Sequence, residues 1–457
     1  MINKDILTGK KHIHFIGIGG SGMYPLAQIL HSKGFYLTGS DNNESDTLAA
    51  VRKMGIPVFL GHDESNIDGA DLIVYTAAIM ADNVELIAAK ASSADVIERS
   101  DLLGLITSYY DNTVCIAGTH GKTTVSAMLT QILLESGVDT SAVIGGKLPL
   151  IGGNGRHGKS DTMVCEACEF VDTFLKLHPD ISVILNIDED HLDYFKTLDN
   201  IIKSFEKFSD LTTNTIIVNG DDDNSMRAVA NQKGKKIITF GLSEDNDYYA
   251  DNIEHITGMQ TDYSLMSGGK ELTRISIHVP GDHNVLNSVA ACVAAMECGI
   301  AADKLAKGIE GFKGAGRRFE LLKVVNGITI VDDYAHHPLE LAVTLEAAKN
   351  LHYNRVWAIF QPFTYSRTAA LLDDFAQSLK IADRVVLTEI MGSREKNTYN
   401  IYSSDLAKKI PDSEWFSTFD EVASYVADNA SEGDLIITLG CGDVYKVAKI
   451  LIDKLEG

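Results

Sequence analysis

Residues 115–124 read CIAGTHGKTT, an apolar run that ends in two glycines, a lysine and two threonines. These residue types at this spacing suit a polyphosphate. Gly118 and Gly121 lack a Cβ and let backbone N–H groups close on phosphate oxygens, Lys122 brings a positive charge to the β and γ phosphates, and Thr123 offers a hydroxyl to Mg²⁺. The loop departs from the usual Walker pattern, which needs a glycine six residues before the lysine, where this chain has Ile116. Only Thr119 and His120 separate the two glycines.

Four other stretches carry chemistry. Gly17, Gly19 and Gly22 in GIGGSG fit the GxGxxG fingerprint, with Asp41 at the end of the next apolar run. Backbone N–H groups there would face a diphosphate, and UDP carries one as NAD does; the alternative is a tight structural turn. In CEACE, Cys165 and Cys168 have metal or redox spacing, but no second pair follows and Glu166 lies inside the motif, so the carboxylate is the better candidate. Glu166 and His191, each at the end of an apolar run, would point toward the phosphate edge of a parallel sheet. Mg²⁺ prefers oxygen, which leaves His191 open as a ligand, as a hydrogen-bonder behind the ligands, or as a surface residue. Arg317-Arg318 in GAGRRFE is either a solvated pair or holds an arginine for the γ-phosphate. DDYAHHP at 332–338 reads as a helix cap compatible with a functional role.

The elements that must position these residues alternate strand and helix. KHIHFIGIGGSGMYPLAQIL gives strand, glycine turn and helix, and GFYLTGSD a second strand, with further runs near 71–76 and 94–97. NTVCIAG, the phosphate loop and a helix stopping at Gly137 open a second unit, and MVCEA and ISVILNI continue it. Residues 246–270 are polar and carry no clear period. The rhythm restarts after GFKGAGRRFE with ITIVDD, a helix from Pro338, RVWAIFQ, DRVVLTEI and DLIITLGCGD. This pattern predicts an α/β protein of three tandem domains: Rossmann-like at residues 1–110, a P-loop-type central ATPase at 111–320, and Rossmann-like at 321–457.

At 457 residues, the chain is too long for one core. Its 63 acidic and 40 basic side chains give a formal charge of -23, which opposes extended contact with nucleic acid. The N-terminus lacks a signal-peptide core and no run reaches the ~20 apolar residues of a membrane span, so a cytoplasmic protein without a membrane partner is expected. The six scattered cysteines suit reduced thiols.

Taken in order, HFIGIGGSGM, GSD, AGTHGKTT, EACE, NIDEDHLDYF, GDHNVLNSVAA, GAGRRFE, DDYAHHP, SRT and GCGD resemble the Mur ligases, ATP-dependent amide-forming enzymes of peptidoglycan synthesis, over nearly the whole chain. The closest likeness is to the branch that adds L-alanine to UDP-N-acetylmuramate. The resemblance implies that ATP phosphorylates the muramate carboxylate and that the amine of alanine attacks the acyl phosphate. It implies ATP contacts at Gly118, Thr119, Gly121, Lys122, Thr123, Thr124, Asn284, Asn287, Arg318 and Asp333, with Lys122, His191 and Arg318 catalytic. Mg²⁺ would be held by Thr123, Glu166 and His191. Gly19, Ser21, Gly22, Met23, Ser40, Asp41, His62 and His120 would face the UDP-sugar, and Tyr334, His336 and Arg367 the amino acid.

The chain departs from the family pattern at Phe363 and Thr364, where a histidine and then arginine or threonine usually follow FQP, at Asn83 in place of proline, and at Pro149 in a glycine loop. The family's carbamylated lysine has no assignable counterpart in Lys203 or Lys207, and no general base for the amine is visible. Three other readings remain: a ligase that rejoins a preformed peptide to the same UDP-sugar, a catalytically silent nucleotide sensor, against which Lys122, Glu166 and Arg318 argue, and a nicotinamide oxidoreductase suggested by the first glycine motif alone. The last leaves GTHGKTT and GRRFE unexplained.

Overall fold

The computed structural model describes residues 4–256, 259–393 and 395–457. Its first sheet has five parallel strands in the order Val58–Leu60, Tyr36–Asp41, His12–Ile16, Leu72–Tyr75, Asp95–Glu98. The period of two puts Ile13 and Phe15 on one face, against helix Tyr24–Ser32, and Ile16 on the other, against Leu86 and Ala89 of helix Val84–Ala91. The strand order reverses at His12–Ile16, so the loop that follows, GIGGSG, lies at the switch point where such sheets bind ligands. That loop folds onto its neighbour: a Cβ at Gly39 would sit 2.6 Å from the Ile18 side chain.

The second sheet has ten strands. Asn112–Ala117 lies between Ile181–Ile184 and Thr162–Glu166, all parallel, which sets the ends of three strands side by side at one edge. Val114, Cys115, Ile116 and Ala117 are fully buried, as expected of a strand covered on both faces. Residues 246–270, unassigned from sequence, contain Tyr248–His255 and Thr261–Ser267, which with Lys270–Ile277 extend the sheet at its far edge. One apolar cluster runs from Ile13, Phe15 and Leu26 through Leu102 to Cys165, Phe174, Phe205 and Phe208, joining the first two sheets.

The third sheet has six strands. Glu320–Val325 pairs antiparallel with Ile328–Asp333, followed by the parallel strands Leu435–Leu439, Val356–Phe360, Arg384–Leu387 and Glu414–Trp415. Contacts group the chain into two compact units, residues 1–253, 263–276 and 286–311 in one, and 254–262, 277–285 and 312–457 in the other. All six cysteines are free thiols, with Cys115, Cys165 and Cys292 buried. Among the described residues no helix is long and apolar enough to cross a membrane.

Candidate active site

The phosphate loop takes its shape from the neighbouring strand's end. Gly118 and Gly121 have φ of 143° and 87°, and Gly121 caps helix Lys122–Glu135. A Cβ at Gly121 would lie 2.5 Å from Asn287 Oδ1, and one at Gly118 2.9 Å from Leu185 Cβ, so neither position accepts a side chain without displacement. Asn186 clasps the intervening residues: its Oδ1 accepts from His120 N–H at 2.7 Å, its Nδ2 donates to the His120 carbonyl at 3.1 Å, and its own carbonyl accepts from Thr119 N–H at 3.0 Å. The Asp188 amide donates to Thr119 Oγ1 at 2.9 Å. These bonds hold a loop that lacks the usual glycine six residues before its lysine.

Lys122 Nζ donates to the Thr119 carbonyl at 3.0 Å, to Gly118, and to Glu169 Oε2 at 2.9 Å. Burial works against the ammonium charge, but the negative neighbours, Glu169 foremost, hold its pKa above the ordinary lysine value. Glu169 is itself buried, and the sequence offered no signal for it beyond its place in EACE. Thr123 and Thr124 are buried in the helix's first turn, where N–H groups and the helix dipole favour an anion.

Thr123 Oγ1 donates to Glu166 Oε2 at 2.9 Å, and Gly145 N–H donates to the same oxygen at 2.7 Å. The hydroxyl and carboxylate form a pair of hard oxygen donors that fits Mg²⁺. His191 does not join them. It has a left-handed φ of 53°, its ring packs on Phe170 at 4.7 Å, and its Nε2 lies 3.6 Å from Asp190 Oδ2. Among the described residues no three His, Cys, Asp or Glu side chains cluster as metal ligands.

In the first sheet, Gly19 N–H donates to Asp41 Oδ2 at 3.0 Å, and Asn154 Nδ2 donates to the Ser21 carbonyl at 2.8 Å, tying the glycine loop to the second sheet. A Cβ at Gly22 would sit 3.0 Å from the Arg99 side chain, and Met23 is buried behind the loop. Ser40 and His62 meet at Glu85, which the sequence reading did not single out. His120 projects from the phosphate loop with Nε2 4.0 Å from Asp188 Oδ2.

In the unit containing the third sheet the arginine pair divides. Arg317, at φ 60°, gives Nε to Asp332 Oδ2 at 2.8 Å and its Nη atoms to the carbonyls of Gly440 and Gly442 at 2.5 and 2.8 Å, and its guanidinium lies 5.1 Å from the rings of Tyr334 and Tyr445. It knits two loops together. Burial pushes the Asp332 carboxyl up to about 6 although Arg317 pulls it back. Arg318 stacks on the other guanidinium's ring partner, 5.0 Å from Tyr334. Asp333 accepts from the amides of Phe319 at 2.7 Å and Ala335 at 2.8 Å, and Tyr334 and His336 rings are 5.4 Å apart. Arg367 lies in helix Tyr365–Ala370, capped by Thr364 at φ 63°. Asn284 and Asn287, both buried, open helix Asp282–Glu297, and Asn284 Nδ2 donates to the Pro280 carbonyl at 2.7 Å.

Three family models match in succession: "Mur ligase family, catalytic domain" over residues 12–111, "Mur ligase middle domain" over 116–295, and "Mur ligase, glutamate ligase domain" over 317–442. The UDP-N-acetylmuramate–L-alanine ligase of Acetivibrio thermocellus is 43% identical over 448 residues, 97% of this chain and 96% of that protein. The enzyme of the same name from Caldanaerobacter subterraneus is 43% identical over 450 residues, 97% of this chain and 98% of its own length. The crystal structure of the UDP-N-acetylmuramate–alanine ligase of Thermotoga maritima superposes with a TM-score of 0.85 at 27% identity, covering 98% of this chain and 99% of that one.

Proposed function

This chain belongs to the Mur ligase family and is an ATP-dependent ligase, and from that premise we propose that it joins L-alanine to the carboxylate of UDP-N-acetylmuramate in peptidoglycan precursor synthesis. The near-complete match to enzymes of that name is the observation that carries the reading. Residues 1–110 would hold the UDP-sugar, 111–320 the nucleotide and 321–457 the amino acid. A reaction that consumes ATP and a UDP-sugar belongs in the cytoplasm.

A carboxylate oxygen is a poor leaving group and must be activated before an amine can replace it. In the first step the substrate carboxylate forms an O–P bond to the γ-phosphorus as the bond to the β-phosphate oxygen breaks and ADP leaves. In the second the amine forms the C–N bond, phosphate leaves with the carboxyl oxygen, and the amine gives up a proton. The first step brings two anions together, so its cost is electrostatic. Lys122, swung from Glu169 and its loop carbonyls, would carry the β and γ phosphates, and the Gly118–Thr124 amides would orient them. Thr123 and Glu166 would hold Mg²⁺, which when bound neutralises phosphate charge. Asn284 and Asn287 would meet the adenine and Asp333 would order the nucleotide side of its loop. Arg318 supplies charge to the transferring phosphoryl, His191 acts near it, and Tyr334, His336 and Arg367 receive the amino acid.

The test is phosphate release with UDP-N-acetylmuramate, ATP and a panel of amino acids and short peptides. Turnover greatest with L-alanine is expected; turnover with a peptide but not with alanine would replace this reading by the peptide-rejoining one.

A further inference from the structure

Beneath the glycine loop lies a polar cluster that phosphoryl transfer does not use. Glu85 stands in the first turn of helix Val84–Ala91 and is fully buried. Its Oε1 lies 2.8 Å from His14 Nε2, and its Oε2 lies 2.6 Å from Ser40 Oγ and 2.5 Å from His62 Nδ1. His14 Nδ1 lies 2.8 Å from Thr38 Oγ1, which His12 Nε2 also reaches at 2.8 Å. The period of two explains the gathering: His14 is in register with Thr38 and Ile16 with Ser40, so His12, His14, Thr38 and Ser40 share the sheet face that helix Val84–Ala91 covers.

A buried carboxylate costs several kcal/mol unless donors compensate it, and an apolar residue would serve packing alone better. Burial pushes the Glu85 pKa up, but bonds from His14, Ser40 and His62 outweigh it and keep the group ionised. An ionised carboxylate only accepts, so all three partners must donate. His14 donates through Nε2–H, and its Nδ1 accepts from the Thr38 hydroxyl, which accepts in turn from His12 Nε2–H. Ser40 donates Oγ–H and His62 donates Nδ1–H. Every hydrogen then has one direction, and His62 gives Nδ1–H to the carboxylate. These directions exclude the Nε2–H tautomer of His62, and in the neutral ring they leave Nε2 as an acceptor. An acceptor pairs with an N–H or O–H, such as the uracil imide or a ribose hydroxyl, and not with a diphosphate.

We infer that Glu85 is a positioning residue of the UDP-sugar site, fixing His62 as the Nδ1–H tautomer so that Nε2 accepts a hydrogen bond from the uridine half of the substrate. This rests on the reading that Ser40 and His62 face the UDP-sugar. Two measurements test it. Nitrogen-15 NMR of histidine-labelled wild-type protein should show His62 protonated at Nδ1 alone; an Nε2–H tautomer or an imidazolium at pH 7.5 overturns the inference. Calorimetry with UDP alone should show Glu85→Gln binding about tenfold more weakly, and kinetics should show the KM for UDP-N-acetylmuramate rising in parallel while those for ATP and alanine stay within twofold. Unchanged UDP affinity, or equal loss for all three substrates, overturns it, as does a wild-type protein that fails to bind UDP. Should Glu85→Gln not fold, the wild-type spectrum still decides. UDP binding without phosphate release would sink the ligase reading and leave this one standing.

Discussion

Lys122 is already neutralised before any phosphate arrives, by Glu169 and by two carbonyls of its own loop. Exchanging these partners for ATP keeps a buried ammonium paired throughout, so the site never exposes an uncompensated charge. Lys122→Ala should therefore abolish turnover, with kcat at least about 1,000-fold lower, while UDP affinity measured by calorimetry stays within twofold. Simultaneous loss of both would contradict the separation of nucleotide from UDP-sugar residues. The arginine pair gives a second contrast. Arg317→Ala leaves Asp332 buried with the Thr438 hydroxyl but without its charged partner and should cost about 3 kcal/mol of stability, read as a large fall in melting temperature. Arg318→Ala removes a guanidinium stacked on Tyr334 and a charge that favours the buried Asp333 carboxylate, but Asp333 keeps the Phe319 and Ala335 amides, so it should cost about 1,000-fold in kcat with a smaller fall in melting temperature than Arg317→Ala. Equal effects of the two substitutions on stability would refute the division.

The shortened phosphate loop works because the strand beside it does part of the shaping. Asn186 makes three hydrogen bonds to Thr119 and His120, two of them from its side chain, so Asn186→Ala should raise the KM for ATP about thirtyfold, at about 1 kcal/mol for each side-chain bond lost, and leave the KM for alanine unchanged; steady-state kinetics reads the difference. The loop itself was legible in the sequence, since its glycines, lysine and flanking strand and helix stand in one stretch. Asn186, Asp188 and Glu169 were not, because their role comes from parallel pairing of Asn112–Ala117 with Ile181–Ile184 and Thr162–Glu166, and nothing local marks it. Arg317 and Arg318 are equivalent as letters and differ through the left-handed φ at Arg317. Residues 246–270 hid their strands because Tyr248–His255 is mostly exposed over its second half and Thr261–Ser267 buries Thr261 and Ser264 along with Tyr263 and Leu265, which blurs the alternation that betrays a strand. The central strands, apolar on both faces, were plain.

At the scale of the molecule, three α/β sheets carry the residues proposed for a sugar nucleotide, ATP and an amino acid, and on that reading an acidic protein of charge -23 would meet anionic substrates through local donors. Phe363 and Thr364 stand where the family pattern has other residues, and Thr364 caps the helix bearing Arg367, so these two departures lie beside the proposed amino-acid pocket. The account as a whole depends on the carboxylate being phosphorylated before the amide forms. Carrying out the reaction with UDP-N-acetylmuramate labelled with oxygen-18 in its carboxyl group, and analysing the released phosphate by mass spectrometry, tests this most directly. One labelled oxygen per phosphate is predicted; phosphate released without label while the amide forms would contradict the account.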